Sequence, residues 1–358
     1  MTSMIEERRL KTVEVSGTYE SMGSELGSAC KPEVQSMLSE AKDILSRKSL
    51  PWDRALLMAG RHASFVMEYN PNQLSFLNGY SKGSGLSFDE LFLLFCLDEK
   101  GLCTDVMVNQ QATDDESVFS AHTEDWSVKS EEFLVLVKAK PKNGPAILVM
   151  THAGLEWITG INSAGISATG NSLYQSDVRF GVPKLMVAPK ILASETLGDA
   201  LGAATPAHRA SSYNNNICHS SGEMYCVEGS ATDFALMYPE NGYLVHTNHY
   251  IHPAMAQYET AFGVVGAKTL ANSSTITRYH RARRLVRASL GSITADTLME
   301  LLRDHFNYPA SICRHPLKEE AEHDRCKTTY ATVIDLTRKK MLLCVGNPCE
   351  GEFKSYSL

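Results

Sequence analysis

A chain of 358 residues, 43% hydrophobic and 21% charged, has the composition of a folded globular protein with enough length for a full core. Its net charge of −7 argues against a nucleic-acid binder. No apolar run approaches the roughly 18 residues that span a bilayer, and the polar start MTSMIEERRL predicts no signal peptide and a cytoplasmic location. The nine cysteines are odd in number, scattered and without CxxC spacing. That predicts reduced thiols, with neither a disulfide framework nor a zinc site, so no metal ligand and no cofactor are expected.

Residues 1–101 predict mainly helix, with Leu38, Ala41, Ile44 and Leu45 at helical spacing. Ser87 and Glu90 form a capping box, and Leu86 and Leu91 stand where a hydrophobic staple closes. The body FDELFLLFCLDEK predicts a helix buried on most sides, stopped by Gly101. From Cys103 the texture changes to short β-type runs: CTDVMVNQ, SVFSAHTE, EFLVLVKAK and AILVMTHA. Asn143-Gly144 is a hairpin signal. GLEWITGINSAGISATGNSL predicts two strands around Asn162 to Gly165, and residues 186–197 predict a helix. Strands follow near MYCVEG, DFALMYP and GYLVHTN. Residues 277–290 and 294–306 predict two helices, the second with Thr294 as N-cap and Ile293 stapled to Leu298. TTYATVIDL and KMLLCVG predict a closing hairpin. Helices, strands, helices, strands in that order imply an α+β fold with antiparallel sheets and helices packed outside. No GxGxxG follows a strand, which excludes a dinucleotide-binding unit.

Four stretches carry candidate chemistry. Cys103, at the first position of a core strand, is a potential nucleophile, because thiols are the most nucleophilic common side chains near neutral pH. AHTEDW, one strand later, predicts a hairpin that returns Asp125 beside Cys103, with His122 and Glu124 close by. In VHTNHY, Asn248 is a candidate oxyanion donor because its amide donates without a charge; His246 and His249 are candidates for base or metal work. In NYPASICRH, Arg314 is suited to hold a carboxylate or order the nucleophile's surroundings. TRYHRARRLVR sets Arg278, Arg281, Arg283, Arg284 and Arg287 on one helix, either as a solvated face or as a dock for an anionic substrate.

Taken in order, GTYESMGSELGSACKPEV, LCTDVMVNQ, AHTEDW, GINSAGISATGNSL, LVHTNHY and NYPASICRH resemble the acyl-coenzyme A:6-aminopenicillanic acid acyltransferase family, self-processing N-terminal-nucleophile (Ntn) enzymes also classed as C45 peptidases. The HTED form is close to that of insect N-β-alanyl-amine hydrolases. The resemblance implies a four-layer αββα sandwich. It implies that Cys103 attacks the carbonyl of Leu102 and frees its own α-amine. Residues 1–102 then become an α chain and residues 103–358 a β chain, a heterodimer within one domain. The resemblance assigns the catalytic set Cys103, Asp125, Asn248 and Arg314. Glu124, Asn171 and His246 are further polar candidates for substrate binding.

The function implied is an N-terminal cysteine amidohydrolase of a small N-acyl or β-alanyl/aminoacyl amine. The alternatives are an acyltransferase moving an acyl group from acyl-coenzyme A to an amine, an uncleaved non-catalytic binding protein, and a metal hydrolase using His122, Glu124, His246 and His249. The partners expected are a small-molecule amide or thioester and the sister chain, with no nucleic acid and no membrane. The family usually has glycine before the nucleophile; here Leu102 stands there, with Gly101 one position back. Leucine resists the strained conformations that favour an N-to-S acyl shift, so self-cleavage is expected to be slow or absent.

Overall fold

The computed structural model describes residues 10–97, 101–260, 274–317, 319, 321 and 325–358. In chain order the elements are β1 (Lys11–Gly17), α1 (Tyr19–Ala29), α2 (Lys31–Arg47), α3 (Trp52–Gly60), α4 (Ala63–Tyr69), α5 (Pro71–Ser84), α6 (Phe88–Leu94), β2 (Leu102–Val108), β3 (Phe119–Ser127), β4 (Leu134–Pro141), β5 (Ile147–His152), β6 (Glu156–Asn162) and β7 (Ile166–Ser172). Then come α7 (Val187–Leu192), α8 (Leu197–Ala204), β8 (Tyr213–His219), β9 (Met224–Gly229), β10 (Phe234–Met237), β11 (Tyr243–His246), α9 (Ser274–Ala288), α10 (Ala295–Leu302), β12 (Cys326–Asp335), β13 (Lys340–Val345) and β14 (Lys354–Ser357). Among the described residues no helix is long and apolar enough to cross a membrane.

The strands form two sheets, ordered β1-β4-β5-β6-β7-β8-β9-β10 and β11-β2-β3-β12-β13-β14. Alternation along each strand sorts side chains into three apolar layers. On β4, Val135, Val137 and Ala139 pack with Met22, Leu77 and Ile191 of the first helical layer. Leu134 and Leu136 point the other way and meet Met107, Tyr330 and Ile334 of the second sheet. From the far face of that sheet, Val106, Val108 and Ala121 pack on Val286, Leu298 and Leu302 of α9 and α10. Helices, sheet, sheet, helices is the four-layer αββα sandwich. Fully burying a side chain such as Leu136 contributes about 1.5–3 kcal/mol, so three such layers hold the molecule together.

The α1–α5 pair closes through small residues. A Cβ on Gly23 would stand 2.1 Å from the Phe76 carbonyl oxygen, and one on Gly79 would stand 1.9 Å from that of Glu20. Only glycine permits that approach of two helix backbones.

Several predicted elements differ in detail. The N-terminal part is not purely helical: β1 joins the first sheet in parallel beside β4. α6 has the predicted capping box but ends at Leu94, seven residues before Gly101, where Phe95 and Cys96 turn through bonds to Phe92 and Leu93 carbonyls. Residues 98–100 lie outside the described residues. The helix expected over 186–197 ends early, at Leu192; a separate helix, α8, begins at Leu197, where Thr196 caps it by accepting from the Asp199 N–H. α10 ends at Leu302, short of Phe306.

Candidate active site

Cys103 stands second in β2, directly opposite Glu124 of β3. Period-two alternation puts Cys103, Asp105, Glu124 and His122 on the face toward the other sheet, and Leu102, Thr104 and Asp125 on the face toward α9. The register therefore overturns one expectation: Glu124, not Asp125, is the carboxylate beside the thiol. The Cys103 thiol lies 3.6 Å from Glu124 Oε1 and donates to it. Asp125 pairs with Leu102 across the strands, beside the Leu102–Cys103 peptide bond. A β-bulge between Thr328 and Tyr330 of β12 lets Tyr330 follow Glu124 inward while Thr328 follows Asp125 outward.

Asn248 follows β11 and turns toward the start of β2. Its Oδ1 accepts from the Cys103 backbone N–H at 2.9 Å and from Arg278 Nη2 at 2.7 Å. Its Nδ2 donates to the Ser172 carbonyl at 3.2 Å. Two donors converge on one amide atom, which assigns that atom as oxygen. Asn248 thus meets Cys103 as an acceptor; one of its two N–H bonds is used on Ser172.

Arg278 belongs to the arginine-rich helix, yet it is 1% exposed. It donates to the Cys103 carbonyl and, at 2.9 Å, to Thr104 Oγ1. Burial pulls its guanidinium down to about 10 against the charge of Asp125. This residue was missed as part of the site. The signal was present: Thr275, Arg278, Ala282 and Val286 share the buried stripe of α9, at the spacing of a core-facing helix face. Arg281 turns to Asp304 at 2.9 Å, so the row of arginines is not one continuous dock.

Arg314 Nε lies 3.5 Å from Asp125 Oδ2, an ion pair in which neither atom makes a hydrogen bond among the described residues. Thr328 donates to Asp125 Oδ1 at 2.6 Å. Burial raises the Asp125 carboxyl, and the charges of Arg314 and Arg278 oppose that rise.

Behind the thiol lies a buried charged row. His122 Nδ1 is 3.0 Å from Asp105 Oδ2 and its Nε2 is 3.2 Å from Glu124 Oε2. Burial alone would push the imidazole down; the charge and hydrogen bond of Asp105, with those of Glu124, overcome this and raise it to about 10. The imidazole, favoured in its charged form, thus lies between two carboxyl groups. The Cys103 thiol is raised well above its usual value, by burial first and then by Glu124, Asp105 and Asp125, while a backbone bond to Ser172 works against this. That direction favours the protonated thiol, whose hydrogen bond Glu124 accepts.

Asn171 and His246 fall elsewhere than expected. Asn171 donates to Asp105 Oδ2 at 2.6 Å and accepts from Asn214 and Asn216, both at 3.0 Å, bracing the buried row from the other sheet. His246 Nε2 pairs with Glu228 at 2.8 Å. Neither lines the cleft that reaches Cys103, whose walls include Trp126, Trp157, Ser172, Leu185 and Tyr213. The metal-hydrolase alternative also fails to assemble: among the described residues, His122 and Glu124 group with Cys103, without His246 or His249. A different grouping, of His305, Cys313, His315 and Cys349, also occurs among the described residues. In the cleft wall, a Cβ on Gly101 would stand 2.5 Å from the Trp126 ring, and Tyr174 donates to the Gly101 carbonyl at 2.9 Å.

The profile of the acyl-coenzyme A:6-aminopenicillanic acid acyl-transferase family matches residues 111–350, beginning just beyond Cys103. The chain belongs to this family. Members of the acyl-transferase family are enzymes, and the four layers and the mid-chain cysteine suit Ntn-type chemistry. One relative is the acyl-coenzyme A:6-aminopenicillanic-acid-acyltransferase 40 kDa form of Emericella nidulans, 25% identical over 345 residues, covering 93% of this acyl-transferase-family chain and 91% of the relative. Among solved structures, a mutant conjugated bile acid hydrolase from Clostridium perfringens superposes with a TM-score of 0.48 at 14% identity, covering 72% of this chain and 97% of that one. Penicillin V acylase from Agrobacterium tumefaciens gives 0.42 at 14% identity, over 68% and 83%.

Proposed function

We propose that this family member is a self-processing N-terminal cysteine amidohydrolase that cleaves a small N-acyl or β-alanyl/aminoacyl amine. The observation that carries the reading is the Cys103 site: a thiol beside Glu124, with its backbone N–H held by Asn248 and its carbonyl held by Arg278. In the processing step the thiol proton passes to Glu124 and the sulfur attacks the Leu102 carbonyl carbon. The Leu102–Cys103 C–N bond breaks as the nitrogen gains a proton. Water hydrolyses the resulting thioester, leaving a carboxylate on Leu102 and a free amine on Cys103.

The new amine remains against Asn248 Oδ1, which accepts from it, and serves as base for its own thiol. The thiolate then attacks the substrate's acyl carbon, and the leaving amine takes the proton. The remaining Asn248 N–H is a donor for the oxyanion. Asp125, paired with Arg314, stands at the vacated end of β2 and orders the amine. The aromatic wall, with Trp157 buried and Trp126 and Tyr213 half-buried, favours a substrate that carries an apolar or flat group. Neither Gly101 nor Leu102 is among the residues with positive φ, so the leucine sits in extended backbone without the strain that would speed the acyl shift, which fits slow processing.

A second reading, transfer of an acyl group from acyl-coenzyme A to an amine, is favoured by the family match and by the name of the Emericella relative. The inward turn of Arg278 and the Arg281–Asp304 pair weaken the arginine helix as a phosphate dock, which favours water as the acceptor. The heterodimer of residues 1–102 and 103–358 is part of the proposal; the cytoplasm remains the expected location.

Intact mass and a denaturing gel of freshly made protein beside Cys103→Ala test the reading. Two fragments meeting at Leu102 and Cys103, absent from the variant, are expected. One uncleaved chain in both samples, and again in Leu102→Gly, would favour the binding-protein alternative. Turnover of N-acyl amines that is unaffected by a coenzyme A thioester separates hydrolase from transferase.

A further inference from the structure

The loop after α10 carries His305, Cys313 and His315, and the turn after β13 carries Cys349. Among the described residues their ligand atoms all lie within 4.8 Å of one another. Cys313 Sγ is 3.5 Å from Cys349 Sγ and 3.6 Å from His315 Nε2. Cys349 Sγ is 3.4 Å from His315 Nε2, which is 3.1 Å from His305 Nε2. A tetrahedral zinc ion, with bonds of about 2.3 Å to sulfur and about 2.0–2.1 Å to nitrogen, has edges of about 3.8 Å between sulfurs, 3.5 Å for mixed pairs and 3.4 Å between nitrogens. The observed spacings follow that figure. A disulfide needs about 2.05 Å and gives the two imidazoles no reason to converge.

We propose that His305, Cys313, His315 and Cys349 form a structural zinc site. Two thiols and two imidazoles are the donor set that zinc prefers. Binding releases the two thiol protons, and two thiolates balance the dication while both imidazoles stay neutral. Four protein ligands leave no open position, so the site is structural rather than catalytic. Outer support is in place: Asn347 donates to Cys313 Sγ at 3.5 Å and to the Arg314 carbonyl at 2.6 Å. The Cys313 N–H reaches the Asp304 carbonyl at 3.1 Å, and the His315 N–H reaches the Pro309 carbonyl at 3.0 Å.

The position of the site gives it a task. Arg314 lies between two of the ligands, and its N–H bonds Thr328 Oγ1 at 2.9 Å. That hydroxyl donates to Asp125. The zinc would fasten the Arg314 loop to the C-terminal hairpin and so hold the arginine against Asp125. It shares no residue with the Cys103 site and stands whether or not the chain cleaves itself.

Full-length protein, purified with reductant and without chelator, is expected to hold about one zinc per chain by elemental analysis. Cys103→Ala is expected to keep it and Cys313→Ser/Cys349→Ser to lose it. Replacement by Co²⁺ in the unaltered chain is expected to give the intense visible bands of a tetrahedral thiolate site, which needs no variant to fold. His305→Ala, altering an exposed residue, is expected to weaken that spectrum. Protein that takes up neither Zn²⁺ nor Co²⁺ overturns the proposal. So does metal lost on Cys103→Ala, or a Cys313–Cys349 disulfide in the peptide map of protein kept reduced.

Discussion

Cys103 and Asn248 meet at the end of the second sheet through one bond: the backbone N–H of Cys103 donates to Asn248 Oδ1 at 2.9 Å. The contact is to the backbone atom that would become the α-amine under the proposed cleavage, so on that reading the same bond orients the peptide before processing and the amine after it. Asn248→Ala is expected to fold and to lose about 10²–10³-fold in turnover, read as kcat on an N-acyl amine. A variant with unchanged kcat would remove Asn248 from the mechanism.

Glu124 is the thiol's neighbour in the intact chain. Glu124→Gln is expected to slow self-cleavage by about 10²–10⁴-fold, the usual worth of a proton acceptor, in a gel time course. Asp125→Asn, on the opposite face of β3, is expected to slow it less. The reverse order would return the base role to Asp125.

Arg278 forks to three acceptors at once, which the single ammonium of lysine cannot reproduce. Arg278→Lys is expected to misplace Cys103 and lower the cleavage rate by about 10²-fold while the circular dichroism spectrum stays native. Full-rate cleavage would make Arg278 a packing residue only.

His122 carries a pH signature. Its folded pKa of about 10 lies above its ordinary 6.5, so folding tightens its hold on the proton. The resulting stability is fully present below pH 6.5 and is lost as pH rises through 10. Urea midpoints are expected to fall between pH 6.5 and 9, below the ordinary thiol value of 9.0. His122→Gln is expected to flatten that fall. Parallel profiles for the two proteins would mean the imidazole is neutral in the fold.

The α1–α5 contact predicts a stability effect far from the site. Gly79→Ala puts a methyl group against the Glu20 carbonyl, and overpacking of this kind costs about 1–3 kcal/mol or more. A urea midpoint equal to that of the unaltered chain would show that the two helices can separate without loss.

The sequence by itself determined the alternation of apolar residues that sorts the strands into two facing sheets, the capping box at Ser87 and the N-cap at Thr294, and the nucleophile candidate at the head of β2. These depend on neighbours within a few positions, where period and side-chain chemistry act directly. Glu124 and Asp125 are one residue apart, and a shift of one in register exchanges their faces. Only the pairing of β2 with β3, with the bulge in β12, decided which carboxylate meets the thiol. Arg278 was visible as a charge on an apolar stripe, but its three acceptors come from β2 and the end of β11, which only packing brings together. The four-residue cluster of His305, Cys313, His315 and Cys349 was hidden for the same reason: its ligands lie up to 44 positions apart, and their convergence comes from the α10 loop folding onto the closing hairpin.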